Sequence, residues 1–112
     1  MKESDFQHRI IKDIEGRLPG CIIMKNDATY IQGIPDLLVL WKDRWAALEV
    51  KRSKEECEKC IRTNRPANQK YYVDLMNAMS FASYIYPEIS EEVLNELERS
   101  FKARRNSRVS RS

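Results

Sequence analysis

Three charged residues stand in the least polar part of this chain. Asp36 closes the segment Gly33-Ile34-Pro35-Asp36, and Glu49 and Lys51 lie two apart in Glu49-Val50-Lys51. The apolar run Leu37-Leu38-Val39-Leu40-Trp41 separates them. A carboxylate or ammonium is expensive to bury unless it is paired or bound to a metal. Two converging carboxylates repel, and each raises the other's pKa. A divalent cation relieves that repulsion. Asp36, Glu49 and the backbone carbonyl of Val50 offer oxygen ligands only, which suits Mg²⁺, or Mn²⁺ in its place, rather than zinc. Beside such an ion Lys51 can orient or deprotonate a water, or neutralise charge developing on a phosphoryl group. Together these parts hydrolyse phosphodiesters. The competing structural account is a buried Glu49–Lys51 pair on a strand, with Asp36 capping a turn.

The elements that must position these groups can be read from periodicity. Leu37 to Trp41 is apolar on both faces, as in a strand covered on both sides. Lys42-Asp43-Arg44 makes a turn, and Trp45 to Lys51 returns as the partner strand. Side chains alternate along a strand, so Ala47, Glu49 and Lys51 share one face and Ala46, Leu48 and Val50 the other. Across so short a turn Asp36 and Glu49 fall roughly opposite each other. Upstream, Ser4 with Gln7 has the form of a capping box. Phe6, Ile10, Ile14 and Leu18 make one apolar stripe, ended by Pro19-Gly20. Cys21 to Met24 reads as a short buried strand, and Lys25 to Gly33 as a polar loop. Downstream, Ser53 to Cys60 is a charged stretch with the character of a short helix. Arg62 to Arg65 is a basic loop, and Pro66 suits the first position of a helix. That helix would face inward through Tyr72, Leu75, Met76 and Met79. Phe81 to Tyr86 is a strand, and Ser90 caps a last helix with Val93, Leu94, Leu97 and Phe101 inward. The order α-β-β-β-α-β-α implies an α/β fold, a mixed β-sheet flanked by helices.

The ordered set Glu3 before Phe6-Gln7, Asn26, Gly33-Ile34-Pro35-Asp36, Glu49-Val50-Lys51, and Pro66 followed by Gln69 resembles the PD-(D/E)XK nuclease superfamily. More narrowly it is similar to the small stand-alone VRR-NUC nucleases of phages, over roughly residues 1 to 87. The resemblance implies a restriction-endonuclease-like fold in a single nuclease domain, 1–101. It implies Asp36 and Glu49 as metal ligands, Lys51 as the catalytic lysine, Glu3 as a further acid acting through a water, and Gln69 as a supporting amide. It also implies a homodimer that cuts branched DNA such as four-way (Holliday) junctions, leaving 5′-phosphate and 3′-hydroxyl ends. Glu3 extends the inward face of the first helix; Glu15, one turn from Ile11 and Leu18, is its rival. Gln69 has a plain alternative as a solvated helix residue. The chain departs from the family pattern at Met79-Ser80-Phe81-Ala82, where glycine is usual, and in the long link from Lys51 to Pro66.

Charge distribution supports a nucleic-acid partner. Residues Lys102 to Ser112 hold five basic residues and no acid, whereas residues 1–101 hold 15 basic and 17 acidic ones. This 102–112 tail reads as disordered, either a DNA contact or a solubilising end. Lys25, Asn26, Lys42, Lys54, Arg62 and Arg65 on loops, with Arg104 and Arg105 in the tail, are candidate DNA contacts, which contribute affinity rather than sequence reading. Cys57 and Cys60 have the spacing of half a zinc site with no second half, and His8 reads as a surface residue. No apolar run is long enough to span a membrane and no signal-peptide pattern opens the chain, so a cytoplasmic setting, bacterial or phage-infected, is expected. No small-molecule cofactor is implied. The remaining readings are a nicking or unselective DNA nuclease, a DNA-binding protein without activity, and an accessory subunit needing a partner.

Overall fold

The hydrophobic stripes assemble around a four-stranded sheet. The structure, a computed structural model, describes residues 1–103. In chain order the elements are α1 (Glu3–Arg17), β1 (Ile22–Lys25), β2 (Leu37–Trp41), β3 (Arg44–Val50), α2 (Lys54–Thr63), α3 (Gln69–Met79), β4 (Phe81–Ile85), a 3₁₀ turn (Pro87–Ile89) and α4 (Ser90–Lys102). The sheet order is β1-β2-β3-β4. β1, β2 and β3 pair antiparallel, while β4 joins β3 in parallel. The mixed α/β sheet flanked by helices is therefore present. The order differs from the expected one in having two helices, α2 and α3, between β3 and β4.

Alternation along β3 divides its side chains between two layers. Ala46, Leu48 and Val50 enter the main core, where Phe6, Ile10, Ile14 and Leu18 meet Val93, Leu94, Leu97 and Phe101. Arg17, braced by Asp13 on its own helix, ties α1 to α4 through Glu91, Asn95 and Glu98. On the opposite face Ala47, Ala82 and Val73 form a smaller core that takes in Trp45, Met76 and Tyr84. α3 packs there against β3 and β4.

Several local expectations are corrected. α1 begins at Glu3, its N-cap is Lys2, and no side chain caps it. Ser4 therefore lies inside the helix and forms no capping box; Glu3 and Asp5 in the first turn complement the helix dipole instead. β1 is an edge strand, not a buried one: Ile22 and Met24 are exposed, because α3 lies over β3 and β4. Pro66 lies in a loop between Asn64 and Asn68, both left-handed, and α3 starts at Gln69. α3 is also rotated from the expected face. Val73 and Met76 turn inward, Leu75 and Met79 outward, and Asn77 Oδ1 accepts a hydrogen bond from the Ala82 N–H at 3.0 Å. Ser90 is the first residue of α4 rather than its cap, its hydroxyl donating to the Pro87 carbonyl. Lys102, assigned to the tail by composition, ends α4 and pairs with Glu98 at 2.7 Å. Among the described residues no helix is long and apolar enough to cross a membrane.

Candidate active site

The site is built at the open end of the β2–β3 hairpin. The ladder's last pair is Leu37↔Leu48, so the next step outward places Asp36 beside Glu49, as the spacing requires. Asp36 is fixed from three directions. Its backbone carbonyl accepts from Asn26 N at 2.8 Å, the Asn26 amide donates to the Pro35 carbonyl at 2.8 Å, and its own Oδ2 accepts from Val50 N at 2.9 Å. Asn26, a candidate DNA contact, uses its backbone N–H and its side-chain amide to hold the Pro35-Asp36 segment. Gly33 sets the path of the same loop. Its φ is +90°, and a Cβ there would lie 2.6 Å from the Ala67 carbonyl oxygen and 2.7 Å from Asn68. No other residue fits that contact.

Glu49 and Lys51 are the buried charged residues of the described chain. Glu49 is 2% exposed, and its Oε1 has no hydrogen-bond partner. Its Oε2 lies 3.6 Å from Lys51 Nζ. Lys51 is anchored by its backbone N–H to the Ile85 carbonyl at 2.9 Å, just past the β3–β4 ladder. Burial first, and the charge of Asp36 second, push the Glu49 carboxyl up to about 8 against the opposing pull of Lys51. Burial also raises Asp36, opposed chiefly by the Val50 N–H. Near neutrality Glu49 therefore keeps a proton and donates it toward Asp36.

Glu3 belongs to the same electrostatic group. Its carboxyl is raised by partial burial and then by Asp36, with Lys51 opposing. Glu15, its rival, is exposed and pairs with Lys12 at 4.0 Å. Gln69, at the start of α3, accepts from Cys60 Sγ at 2.9 Å, so its amide oxygen is engaged with a thiol. Cys57 and Cys60 are buried free thiols, and burial pushes Cys57 up to about 11. Nearby, the Tyr84 hydroxyl is buried without a partner, and burial raises its pKa.

Among the described residues no three of His, Cys, Asp and Glu converge into a metal site. The donor set that is present, two carboxyls, one of them with an unpartnered buried oxygen, and the chain at Val50, fits a cation that retains several waters. Mg²⁺ binds in that manner, through one or two carboxylates.

No family model matches the chain, and no curated protein or solved structure matches it.

The expected DNA contacts divide by position. Lys25 ends β1 opposite Leu37, one step from Asp36. Lys54 opens α2 and Arg62 lies in its last turn, so both are on a helix rather than a loop. Arg65 lines a groove that also includes Lys51. Lys42 is at the other end of the hairpin, its Nζ 4.5 Å from the Trp41 ring centroid. Five strand residues separate that turn from Asp36, about 16 Å at the usual strand rise. Arg104 and Arg105 lie outside the described residues. Sequence reasoning passed over Lys59, which lines the groove with Arg65. Its signal was faint: Lys59 is one lysine among several charges on α2.

Proposed function

We propose that the protein is a Mg²⁺-dependent DNA endonuclease of the PD-(D/E)XK kind, selective for branched DNA and acting as a homodimer. The observation that carries this reading is the buried, unpartnered Glu49 Oε1, held beside Asp36 with Lys51 3.6 Å from the other oxygen. Most buried polar atoms are hydrogen-bonded, so a carboxyl oxygen left without a partner next to a second acid favours a cation there over a plain Glu–Lys pair. A bound Mg²⁺ would polarise a phosphate oxygen and lower the pKa of a bound water. Asp36, Glu49 and the Val50 carbonyl would hold it, with Glu3 reaching it through a water.

The chain's own groups have distinct tasks. Asn26 and Gly33 hold Asp36 in place. Lys51, fixed at the end of β3, orients the attacking water and offsets charge on the phosphoryl oxygens. Glu49, kept protonated by burial and the neighbouring acid, would have to release that proton to serve as a ligand. Symmetric cuts in two strands require two such sites, which favours a two-fold dimer.

The test uses a labelled four-way junction, a nicked duplex and a linear duplex with Mg²⁺, Mn²⁺ or EDTA, beside Asp36→Asn and Lys51→Ala variants. Metal-dependent cleavage of the junction, lost in both variants, is expected. Cleavage absent on every substrate defeats the nuclease reading, and equal cleavage of all three removes branch selectivity alone.

A further inference from the structure

We infer that the pocket between Tyr30, Ile31 and Ile34 takes one unstacked nucleobase, with the Tyr30 ring against its face, so that DNA with a base already out of its stack is preferred. The inference rests on the nuclease reading for the identity of the polymer, and its test does not depend on cleavage.

The pocket has a volume of about 380 Å³ and is lined by Asn26, Asp27, Tyr30, Ile31 and Ile34. It adjoins the segment that carries Asp36. Ile34 stands two residues before that acid, and Asn26 holds the Pro35-Asp36 backbone. Tyr30 is 86% exposed, the highest value among the exposed large hydrophobic residues, and its ring meets no other ring among the described residues. Ile31 and Ile34 are half-buried, yet neither hydrophobic core takes them in. Three apolar side chains thus line one space that folding leaves unfilled. Their backbone is held in place. Tyr30 N donates to the Asp27 carbonyl at 3.1 Å, Ile34 N donates to the Ile31 carbonyl at 3.3 Å, and Asp27 Oδ1 accepts from Thr29 N at 2.9 Å.

Charge selects the part of DNA that fits. Among the described residues the lining holds no Lys, Arg or His, and its one charged group is the carboxylate of Asp27. A phosphate gains nothing there, since strand backbones are held by cations. The uncharged, flat part of the polymer is the base, and a base face on an aromatic ring is a favourable contact that tolerates any sequence. In an intact duplex those faces are covered by the neighbouring pairs, and the grooves show only base edges. A base reaches the Tyr30 ring only after leaving the stack, and that step costs least where the base is already unpaired. An apolar pocket with an aromatic wall beside Asp36 therefore favours a branch point or bulge over a continuous duplex.

The experiment is fluorescence anisotropy on the full chain in EDTA with four labelled DNAs of one flanking sequence. These are an intact duplex, the duplex with one extra unpaired A, the same with one extra unpaired T, and the same with an abasic nucleotide at that position. The wild type should bind both base-bearing bulges about tenfold more tightly than the intact duplex or the abasic bulge, a modest share for one base–aromatic stack. That ratio should hold between ~50 and ~200 mM salt, because a stack releases no counterions. Tyr30→Ala should erase the preference and keep the affinity for intact duplex; so exposed a side chain can be truncated with the fold intact. Tyr30→Phe should restore the preference, and Tyr71→Ala, an exposed tyrosine on α3, should leave it unchanged. Equal binding of the abasic and base-bearing bulges, a preference intact in Tyr30→Ala, or a ratio that decays with salt overturns the inference. So does a Tyr30→Ala variant that turns a dimer into a monomer in sedimentation, since the pocket would then be a contact between copies of the chain. If the preference holds but no metal-dependent cleavage is found, the nuclease reading fails and the pocket stands. Junction cleavage with no preference for a bulged base sinks the pocket alone.

Discussion

Replacing Glu49 by glutamine should make the ion-free protein more stable near neutrality while removing its response to metal. An open chain ionises this carboxyl at 4.5, and the fold pushes it up to about 8. At pH 7 the folded, ion-free protein therefore keeps Glu49 protonated by about 10 to 1, while the unfolded chain is ionised. The folded state binds the extra proton throughout this window, so stability falls as pH rises. The contribution of Glu49 is intact below 4.5 and is lost progressively up to about 8. Within the window the slope approaches ~1.4 kcal/mol per pH unit, or about 5 °C of melting temperature for a domain of this size. Asp36 and Glu3 are raised as well and add with the same sign. Asp27 and Glu98 are lowered, so their effects fall at more acid pH and leave this interval alone. Glu49→Gln keeps the shape and the hydrogen bond toward Asp36 but cannot ionise. Thermal melts in EDTA between pH 6 and 7 should show the wild type losing roughly 5 °C more than the variant. Adding Mg²⁺ should raise the wild-type midpoint, more at pH 8 than at pH 6, and leave the variant nearly unchanged. Parallel pH slopes for the two proteins, or an equal Mg²⁺ response, would refute the reasoning.

Three further outcomes are expected. Asn26→Ala removes the amide bond to the Pro35 carbonyl, so stability should fall by about 1–2 kcal/mol and junction cleavage by roughly tenfold, read by melts and single-turnover rates. Gly33→Ala puts a methyl 2.6 Å from the Ala67 oxygen at a φ of +90° and should destabilise by about 2–4 kcal/mol, visible in urea titration. Truncation after Ala103 leaves α4 whole and removes Arg104, Arg105, Arg108 and Arg111, so the salt slope of duplex binding should flatten by up to about 3–4 with Mg²⁺ affinity unchanged. An unaltered slope would make those residues bystanders.

The hairpin was legible because its signals agree: a two-residue alternation, an apolar partner strand and a short turn fix the register that sets Asp36 beside Glu49. The inward face of α4 was legible for the same reason, since Val93, Leu94, Leu97 and Phe101 repeat at helical spacing. α3 was misread because residues used on its inner side are polar. Asn77 bonds to β4 and Gln69 to Cys60, which a hydrophobic stripe cannot register. The exposure of β1 was hidden because an edge is a property of neighbours, and Ile22 and Met24 look the same in a centre strand. Lys42 seemed close to the site only because nothing in composition says which end of a hairpin carries the chemistry. The orphaned oxygen of Glu49 was foreseeable as a buried acid, but its lack of a partner required coordinates.

The two central acids do not share one mechanical fate. Glu49 sits on β3, between two strands and deep in the sheet. Asp36 hangs from a loop stitched to Asn26, the residue that follows the edge strand β1. Edge strands and loops open locally at lower free energy than a sheet's centre. Warming should therefore part the pair from the Asp36 side while the core stays closed. Amide protons around Asn26 and Asp36 should exchange well before those of Leu48 and Val50, and the site should come apart below the melting point of the fold that carries it.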